Sequence, residues 1–128
     1  MPKQKKYYFL FFVITFIVIY LGIIGITKNA PYRACENKKT IVNDKEYKGL
    51  VINKYLDEKN HMNETVIIKD SNAEILVLLN GDTSGLYDSI NLNDSIYKKK
   101  ESMEVLLVRD THRAIYVINF DCDKIKKQ

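Results

Sequence analysis

The chain has 128 residues, the length of about one small domain. Three lysines near the N-terminus, Lys3, Lys5 and Lys6, supply most of the net charge of +4, and without them 17 basic residues stand against 16 acidic ones. This balance lacks the concentrated basic surface of a nucleic-acid-binding domain, so we do not expect nucleic acid as a partner. Val, Ile, Leu and Tyr recur throughout, which excludes a disordered, low-complexity chain.

Residues 1–6 form a basic tail, and the next stretch, 7–27, reads YYFLFFVITFIVIYLGIIGIT without one charged side chain. Twenty-one helical residues extend over about 31 Å, which matches the hydrocarbon core of a bilayer. Tyr7 and Tyr8 lie where aromatic rings at headgroup level anchor such a helix. The sequence therefore predicts a transmembrane helix over 7–27, with the lipid bilayer as its partner.

Two other classes of leader compete with a retained anchor. A cleaved signal peptide has an apolar core of about 7 to 15 residues and a small-x-small cleavage site, and neither feature fits here. A lipoprotein would be modified at Cys35, but Arg33 stands two residues earlier and the apolar run ends nine residues earlier, at Ile26. We favour the retained helix.

The tail lysines favour a cytoplasmic N-terminus under the positive-inside rule, with the following domain outside the cytoplasm. Basic residues on the other flank oppose this orientation: Lys28, Arg33, Lys38, Lys39 and Lys45. The density of charge directly beside the membrane decides for the first arrangement, since large following domains translocate largely regardless of their charge.

The two cysteines, Cys35 and Cys122, stand near opposite ends of the part that follows the apolar run. In an oxidising compartment such a pair indicates a disulfide, and the ends of a domain often lie close together. Two unrelated thiols are the alternative. His61 and His112 show no zinc-site spacing to the cysteines, and no Cys-x-x-Cys motif is present, so we expect no metal or other cofactor.

Residues 28–45 are polar, contain one proline and show no sustained period, so we predict a juxtamembrane linker there. A small β domain over 46–122 and a basic tail over 123–128 complete the chain. Its first strand is predicted at Tyr47–Leu56, where Gly49 would mark a bulge.

Further apolar and β-branched runs, separated by turn residues, predict additional short strands at Thr65–Lys69, Ala73–Leu79, Leu86–Ile90, Asp94–Lys98, Glu104–Arg109 and His112–Phe120. The dipeptides Asn80-Gly81 and Asp110-Thr111 supply turn chemistry between them. Five to seven short strands without a long helix predict a small antiparallel barrel or sandwich.

The tract GLYDSINLNDSIYKKKES, 85–102, is followed by EVLLVR. In this tract the chain resembles small bacterial proteins with one N-terminal membrane segment and a short C-terminal β-rich domain. Their tract commonly reads Gly-Asp-Ser before an apolar residue and lysines. Asn93 stands here in place of that glycine, a mild change because both residues tolerate a left-handed turn. The resemblance implies architecture only and brings no activity.

The segment NGDTSG, 80–85, is the most motif-like part of the chain. It is similar to the Asp-Thr-Gly of aspartic proteases, but a serine interrupts it and the second carboxylate that this chemistry needs is missing. Glycines at both ends predict a surface loop instead. Ser84, Asp110 and His112 include the residue types of a catalytic triad, but their spacing does not support one because no Gly-x-Ser-x-Gly nucleophile elbow is present.

Lys98, Lys99 and Lys100 form a basic cluster that could touch anionic headgroups, although a solvated turn is the simpler interpretation. The leading functional hypothesis is a membrane-anchored, extracytoplasmic, non-catalytic β domain that contacts an envelope protein or ligand. A tethered enzyme is the first alternative, with a site drawn from His61, His112, Asp82 or Ser84. A cytoplasm-facing small barrel that binds nucleic acid through the lysine cluster and exposed tyrosines is the second.

Overall fold

The computed structural model of the protein describes residues 3–127. Its first element, α1, is one continuous helix of 42 residues, Lys3–Asp44. At about 1.5 Å per residue it is about 63 Å long, roughly twice the thickness of a hydrocarbon core. Its apolar part is unburied, with a mean hydropathy of 2.9, so by length and composition this helix is able to span a membrane.

The predicted linker over 28–45 is wrong, because α1 continues through it to Asp44. Tyr32, Cys35 and Val42 lie on this part of α1 and pack against the core of the domain. Their spacings of three and seven residues place them on one face of the helix. Pro31 lies inside α1, directly before this face begins. The domain is therefore built onto the end of the helix itself.

Six strands follow α1: β1 Tyr47–Asp57, β2 Asn63–Asp70, β3 Ala73–Leu78, β4 Ser95–Lys98, β5 Glu104–Arg109 and β6 His112–Val117. They form one antiparallel sheet in the order β3-β2-β1-β4-β5-β6. The predicted antiparallel domain of short strands is thus confirmed. The predicted barrel or sandwich is wrong, because the six strands form one open sheet whose edges are β3 and β6.

Two short helices, α2 Leu86–Ser89 and α3 Cys122–Lys126, lie outside the sheet, and a 3₁₀ turn follows β1 at Glu58–Asn60. The strand predicted at 86–90 is wrong, since α2 occupies it. Gly85 has a φ of 78° and accepts a hydrogen bond from Ser89 Oγ at 2.9 Å, which closes a helical turn. Leu86 and Ile90 are both fully buried, and their i, i+4 spacing suits one face of such a turn.

The central strand β1 pairs with β2 along its length and with β4 near its start. Its register shifts between Val51 and Asn53, so the bulge lies there and not at the predicted Gly49. Gly49 instead permits a close approach to β2. A Cβ at this position would lie 2.6 Å from Ile68 Cγ2 and 2.7 Å from the Lys69 carbonyl carbon, where no side chain fits.

Along β4 and β5, buried residues that face the core alternate with more exposed ones. The buried residues of the strands include Val51, Val66, Ile68, Ile96, Val105 and Leu107. Leu86 and Ile90 near α2, and Phe120 and Cys122 near α3, complete the same cluster. One hydrophobic core therefore joins the sheet, both short helices and the polar half of α1.

Candidate functional site

Cys35 on α1 and Cys122 at the start of α3 lie at disulfide-bonding distance, as predicted, with their Cα atoms 5.7 Å apart. Cys122 is buried in the core and Cys35 is partly buried against it. The pair joins positions separated by 87 residues. It fastens the C-terminal segment of the domain to α1.

The C-terminal segment runs along α1 toward the apolar run. Three contacts fix its direction, each joining a residue of this segment to one of α1: Phe120 to Lys38, Cys122 to Cys35, and Lys126 to Tyr32. As the residue number rises in the C-terminal segment, that of its partner on α1 falls. The end of α3 is therefore the part of the domain nearest to residues 7–27.

The predicted lysine cluster does not form one surface. Lys98 is fully buried, and its Nζ donates hydrogen bonds to the carbonyl oxygens of Lys45 at 2.6 Å, Asn43 at 3.2 Å and Lys99 at 3.2 Å. These carbonyls lie at or beside the end of α1, where the last carbonyls lack intrahelical partners and the helix dipole is negative. Lys98 thus caps the C-terminal end of α1, and its burial keeps it from contacting a membrane.

Only Lys99 and Lys100 of the cluster remain exposed. Burial lowers the pKa of Lys98 below its ordinary value, and the negative charges of Asp44 and Glu46 oppose that change. Because Lys98 is buried, only two of the three lysines on which the nucleic-acid hypothesis relied are exposed.

The tract 85–102 has a structural role. Asn93 has a φ of 70°, a left-handed conformation that asparagine and glycine both tolerate. Asp94 is buried, and its two carboxylate oxygens accept hydrogen bonds from Nε and Nη2 of Arg109, both at 2.7 Å. The backbone N–H of Asn91 donates to the same carboxylate at 2.7 Å. Asp94 therefore fixes the turn before β4 to the end of β5.

Asp94→Asn is expected to lower the free energy of unfolding by about 2 kcal/mol near neutral pH, because charge-assisted hydrogen bonds are lost. The hydrogen bond from Arg109 holds the pKa of Asp94 below its ordinary value of 3.8, against the opposing effect of burial. A lowered pKa stabilises the folded state above about pH 4, and that stabilisation is lost as the pH falls through the folded-state pKa. The deficit of the variant should therefore shrink as the pH falls below the ordinary pKa of the carboxyl group.

Urea titrations of the full chain in detergent micelles, at several pH values, measure this difference. The control is Asp123→Asn, which removes an exposed carboxylate on α3 and should change stability by no more than about 0.5 kcal/mol. A variant as stable as the wild type at neutral pH, or a deficit that persists undiminished in acid, would contradict the role of Asp94.

The segment NGDTSG is the loop that its glycines predicted, and its polar groups hold the loop in place. Asp82 accepts hydrogen bonds from Ser84 N at 3.0 Å, Ser84 Oγ at 2.5 Å and Asn119 N at 2.9 Å. Thr83 N donates to Asn119 O at 2.8 Å. These bonds join the segments that follow the two edge strands, so Asp82 and Ser84 are engaged in structure.

The residues of the hypothetical enzyme site are not brought together. His112 begins β6, whereas the loop of Asp82 and Ser84 contacts Asn119 beyond the other end of that strand. Seven residues of extended chain separate these points by about 23 Å. His61 lies on a separate turn between the 3₁₀ turn and β2. Within residues 3–127, no group of three His, Cys, Asp or Glu side chains is placed to hold a metal ion.

An apolar groove of about 220 Å³ lies between α1 and the edge strand β3. Val42 lines one side and Ile75 and Val77 line the other. Tyr47 also lines the groove, and its buried hydroxyl has no hydrogen-bond partner among the described residues. Burial raises the pKa of Tyr47 above its ordinary value. Sequence reasoning missed this groove because it assigned no helix to residues 28–45.

The outward face of the sheet carries several exposed apolar side chains. Leu76 and Leu78 lie on edge strand β3, and Ile115 and Val117 lie on the opposite edge strand, β6. Ile115 is 66% exposed and Leu76 is 51% exposed. These two apolar pairs lie on different edges of the sheet, and each exposes side chains that a contact with another molecule would cover.

Two exposed surfaces therefore stand out in the described part of the chain: the basic end of α3 beside α1, and the outward face of the sheet with its apolar side chains. The continuous apolar run 75–79, which places apolar side chains on both faces of a strand, carried the signal for the second. The position of the basic end of α3 beside α1 follows from the pairing of Cys122 with Cys35, which determines where the following lysines lie. No protein-family model, curated protein or solved structure matches this chain.

Proposed function

We propose that this chain is a single-pass membrane protein that presents its β domain outside the cytoplasm as a non-catalytic module for contact with an envelope protein or ligand. The observation that carries the proposal is the division of α1. Residues 7–27 are uncharged and exposed, and the same helix continues into residues that pack against the core of the domain. An exposed apolar helix of this length needs an apolar environment, and a bilayer provides one.

The continuous helix supports a rigid mounting of the domain. Residues 28–44 extend about 25 Å beyond the apolar run, and Lys98 and Cys122 attach the sheet to this part of the helix. The domain therefore keeps a fixed height and orientation relative to the anchor, unlike a domain on a flexible linker. Such a mounting suits a module that presents one particular face to a partner.

Two observations support the compartment and the kind of contact. A cross-link between Cys35 and Cys122 persists in oxidising compartments, which favours the extracytoplasmic side. The exposed apolar side chains on the outward face of the sheet suit a protein partner. The residues named for the enzyme alternative are spread apart, since His112 begins β6 and Asp82 contacts Asn119 beyond the other end of that strand.

The topology is tested by Ser71→Cys, which places one thiol in the exposed turn between β2 and β3. A membrane-impermeant maleimide is applied to spheroplasts of a bacterial host that expresses the full chain. We expect this thiol to be labelled as fully in intact spheroplasts as after lysis. The wild type, whose two cysteines are bonded to each other, serves as the unlabelled control.

Labelling that requires lysis would place the domain in the cytoplasm and overturn the proposed orientation. Release of the chain from membranes by alkaline carbonate would overturn the anchor itself. The two failures are separable, because the first concerns the side of the membrane and the second concerns insertion.

A further inference from the structure

We infer that the end of α3 and the adjoining surface of α1 form a binding site for anionic phospholipid headgroups. This site, named here the juxtamembrane basic cluster, consists of exposed residues from both helices: Lys28, Arg33, Lys124, Lys126 and Lys127. The inference rests on the membrane anchoring proposed above, but it does not depend on which side of the membrane the domain occupies.

The height of the cluster above the bilayer follows from its contacts with α1. Tyr32 lies five residues beyond Thr27, the last residue of the uncharged stretch 7–27, which is about 8 Å along the helix. Lys126 Nζ lies 5.4 Å from the centre of the Tyr32 ring, so Lys126 is at a similar height. The headgroup layer extends about 5 to 8 Å beyond the hydrocarbon core on each side. Lys126 therefore lies at the outer boundary of the headgroups.

The side chains nearest to the membrane are the ones free to bind anions. Lys124 is paired with Asp121 at 2.7 Å, so its charge is partly neutralised within the protein. Lys126 and Lys127 follow it at the end of α3, closer to the apolar run. The side chain of Arg33 turns toward the bilayer, with its Nη2 atom 3.5 Å from the Ile26 carbonyl oxygen.

Ile125 adds an apolar contact to this charged end. It lies between two lysines on α3 and is 37% exposed. An apolar side chain beside basic ones strengthens binding to an anionic membrane surface, because charge attracts the segment and the apolar group enters the interface. The disulfide holds this segment against α1, so the segment cannot drift away from the membrane.

Lys99 and Lys100, the exposed lysines next to Lys98, lie too far from the bilayer to bind headgroups. Lys98 donates to the carbonyl of Asn43, sixteen residues beyond Thr27 and about 24 Å along the helix. The Debye length at physiological ionic strength is about 8 Å, so a surface charge is felt there at about a twentieth of its strength. A typical helix tilt of about 20° shortens the distance by only about 1 or 2 Å. Lys99 and Lys100 therefore serve as internal controls.

The test measures how fast individual lysines are acetylated in the full chain, reconstituted in vesicles of phosphatidylcholine alone or mixed with phosphatidylglycerol. A membrane-impermeant reagent reads only the domains on the outside, and mass spectrometry assigns each modified lysine. A surface potential of about −30 mV concentrates protons about threefold, so the reactive uncharged fraction of a lysine at the headgroups falls about threefold. We expect this slowing at Lys126 and Lys127 in anionic vesicles.

Lys99 and Lys100 should change by less than about a tenth between the two lipid compositions. In about 1 M salt, where the Debye length is about 3 Å, the slowing at Lys126 should disappear. The variant Lys124→Gln/Lys127→Gln removes two charges beside Lys126 and should weaken the slowing of Lys126 acetylation. The control variant Lys99→Gln/Lys100→Gln removes the same charge elsewhere and should leave the slowing of Lys126 acetylation unchanged.

Equal rates at Lys126 in both lipids at low salt would overturn the inference, as would equal slowing of Lys126 and Lys99. Each sample is also washed with alkaline carbonate, and the chain that remains with the vesicles is measured. A chain released by the wash would overturn the proposed anchoring, whereas a retained chain with equal rates would overturn the headgroup site alone.

Discussion

Replacing Cys35 and Cys122 together by alanine is expected to lower the free energy of unfolding by about 4 to 5 kcal/mol. The two residues are 87 positions apart, so the cross-link removes a large amount of conformational freedom from the unfolded chain. Domains of this size are stable by about 5 to 15 kcal/mol in total, so the loss is a large fraction. The full chain in detergent micelles is titrated with urea and followed by tyrosine fluorescence, since it has nine tyrosines and no tryptophan.

The wild type under reducing conditions separates the cross-link from the packing of the sulfur atoms. Cys122 is only 5% exposed, so its replacement by alanine also leaves a small space in the core. Reduced wild type retains both thiols and should still lose most of the 4 to 5 kcal/mol. An alanine variant that unfolds at the same urea concentration as the oxidised wild type would show that the bond contributes nothing to stability.

The bond also determines where α3 lies, which connects stability to the proposed headgroup site. Phe120 remains held by its burial in the core, but without the bond the residues after it are held to α1 by the ring contact of Lys126 with Tyr32. A cation–π contact at an exposed position contributes about 0.5 to 1 kcal/mol. In the alanine variant, α3 should therefore detach before the sheet unfolds.

The sequence predicted the strands well because their signals are local. Alternating and β-branched runs with turn dipeptides between them located β2, β3, β5 and the start of β6 within a residue or a few. The cysteine pairing was also predictable, because a chain with two cysteines allows only one intramolecular bond. The strands depend on neighbouring residues, and the cysteine pairing depends on there being only two cysteines in the chain.

Features that depend on distant partners could not be predicted in the same way. Residues 28–44 carry only a few apolar residues at helical spacing, and they are helical because Tyr32, Cys35 and Val42 pack against a core that forms elsewhere. The alternation of strand residues is the same in a closed barrel and in an open sheet. Here Lys38 on α1 contacts both Asn80, after β3, and Phe120, after β6. The helix therefore lies beside the ends of both edge strands, which would have to pair with each other in a closed barrel.

Burial of a lysine is the hardest of these features to predict from sequence. Lys98 is one of three consecutive lysines, and only its position on an inward-facing site of β4 distinguishes it from Lys99 and Lys100. Alternation with the buried Ile96 was the available signal, but lysine is rarely placed in a core without partners. The partners are backbone carbonyls at the end of a helix that the sequence did not predict.

Lys98→Met is expected to lower the free energy of unfolding by about 3 kcal/mol. Methionine has a similar length and retains the apolar contacts of the lysine stem, but it offers no donor to the carbonyls of Asn43, Lys45 and Lys99. Buried carbonyls that lose their partner cost free energy, and α1 loses the positive charge at the negative end of its dipole. Urea titration in micelles measures the total effect.

Lys99→Met is the matched control, because it makes the same change at the exposed neighbouring position and should cost no more than about 0.5 kcal/mol. Hydrogen exchange of the last turn of α1 gives a second readout: Lys98→Met should increase exchange there more than in β2, which contacts neither Lys98 nor α1's last turn through hydrogen bonds. Equal stability of the two variants would contradict the role of Lys98. If the predicted difference is found, one buried ammonium group couples the C-terminal end of α1 to the centre of the sheet.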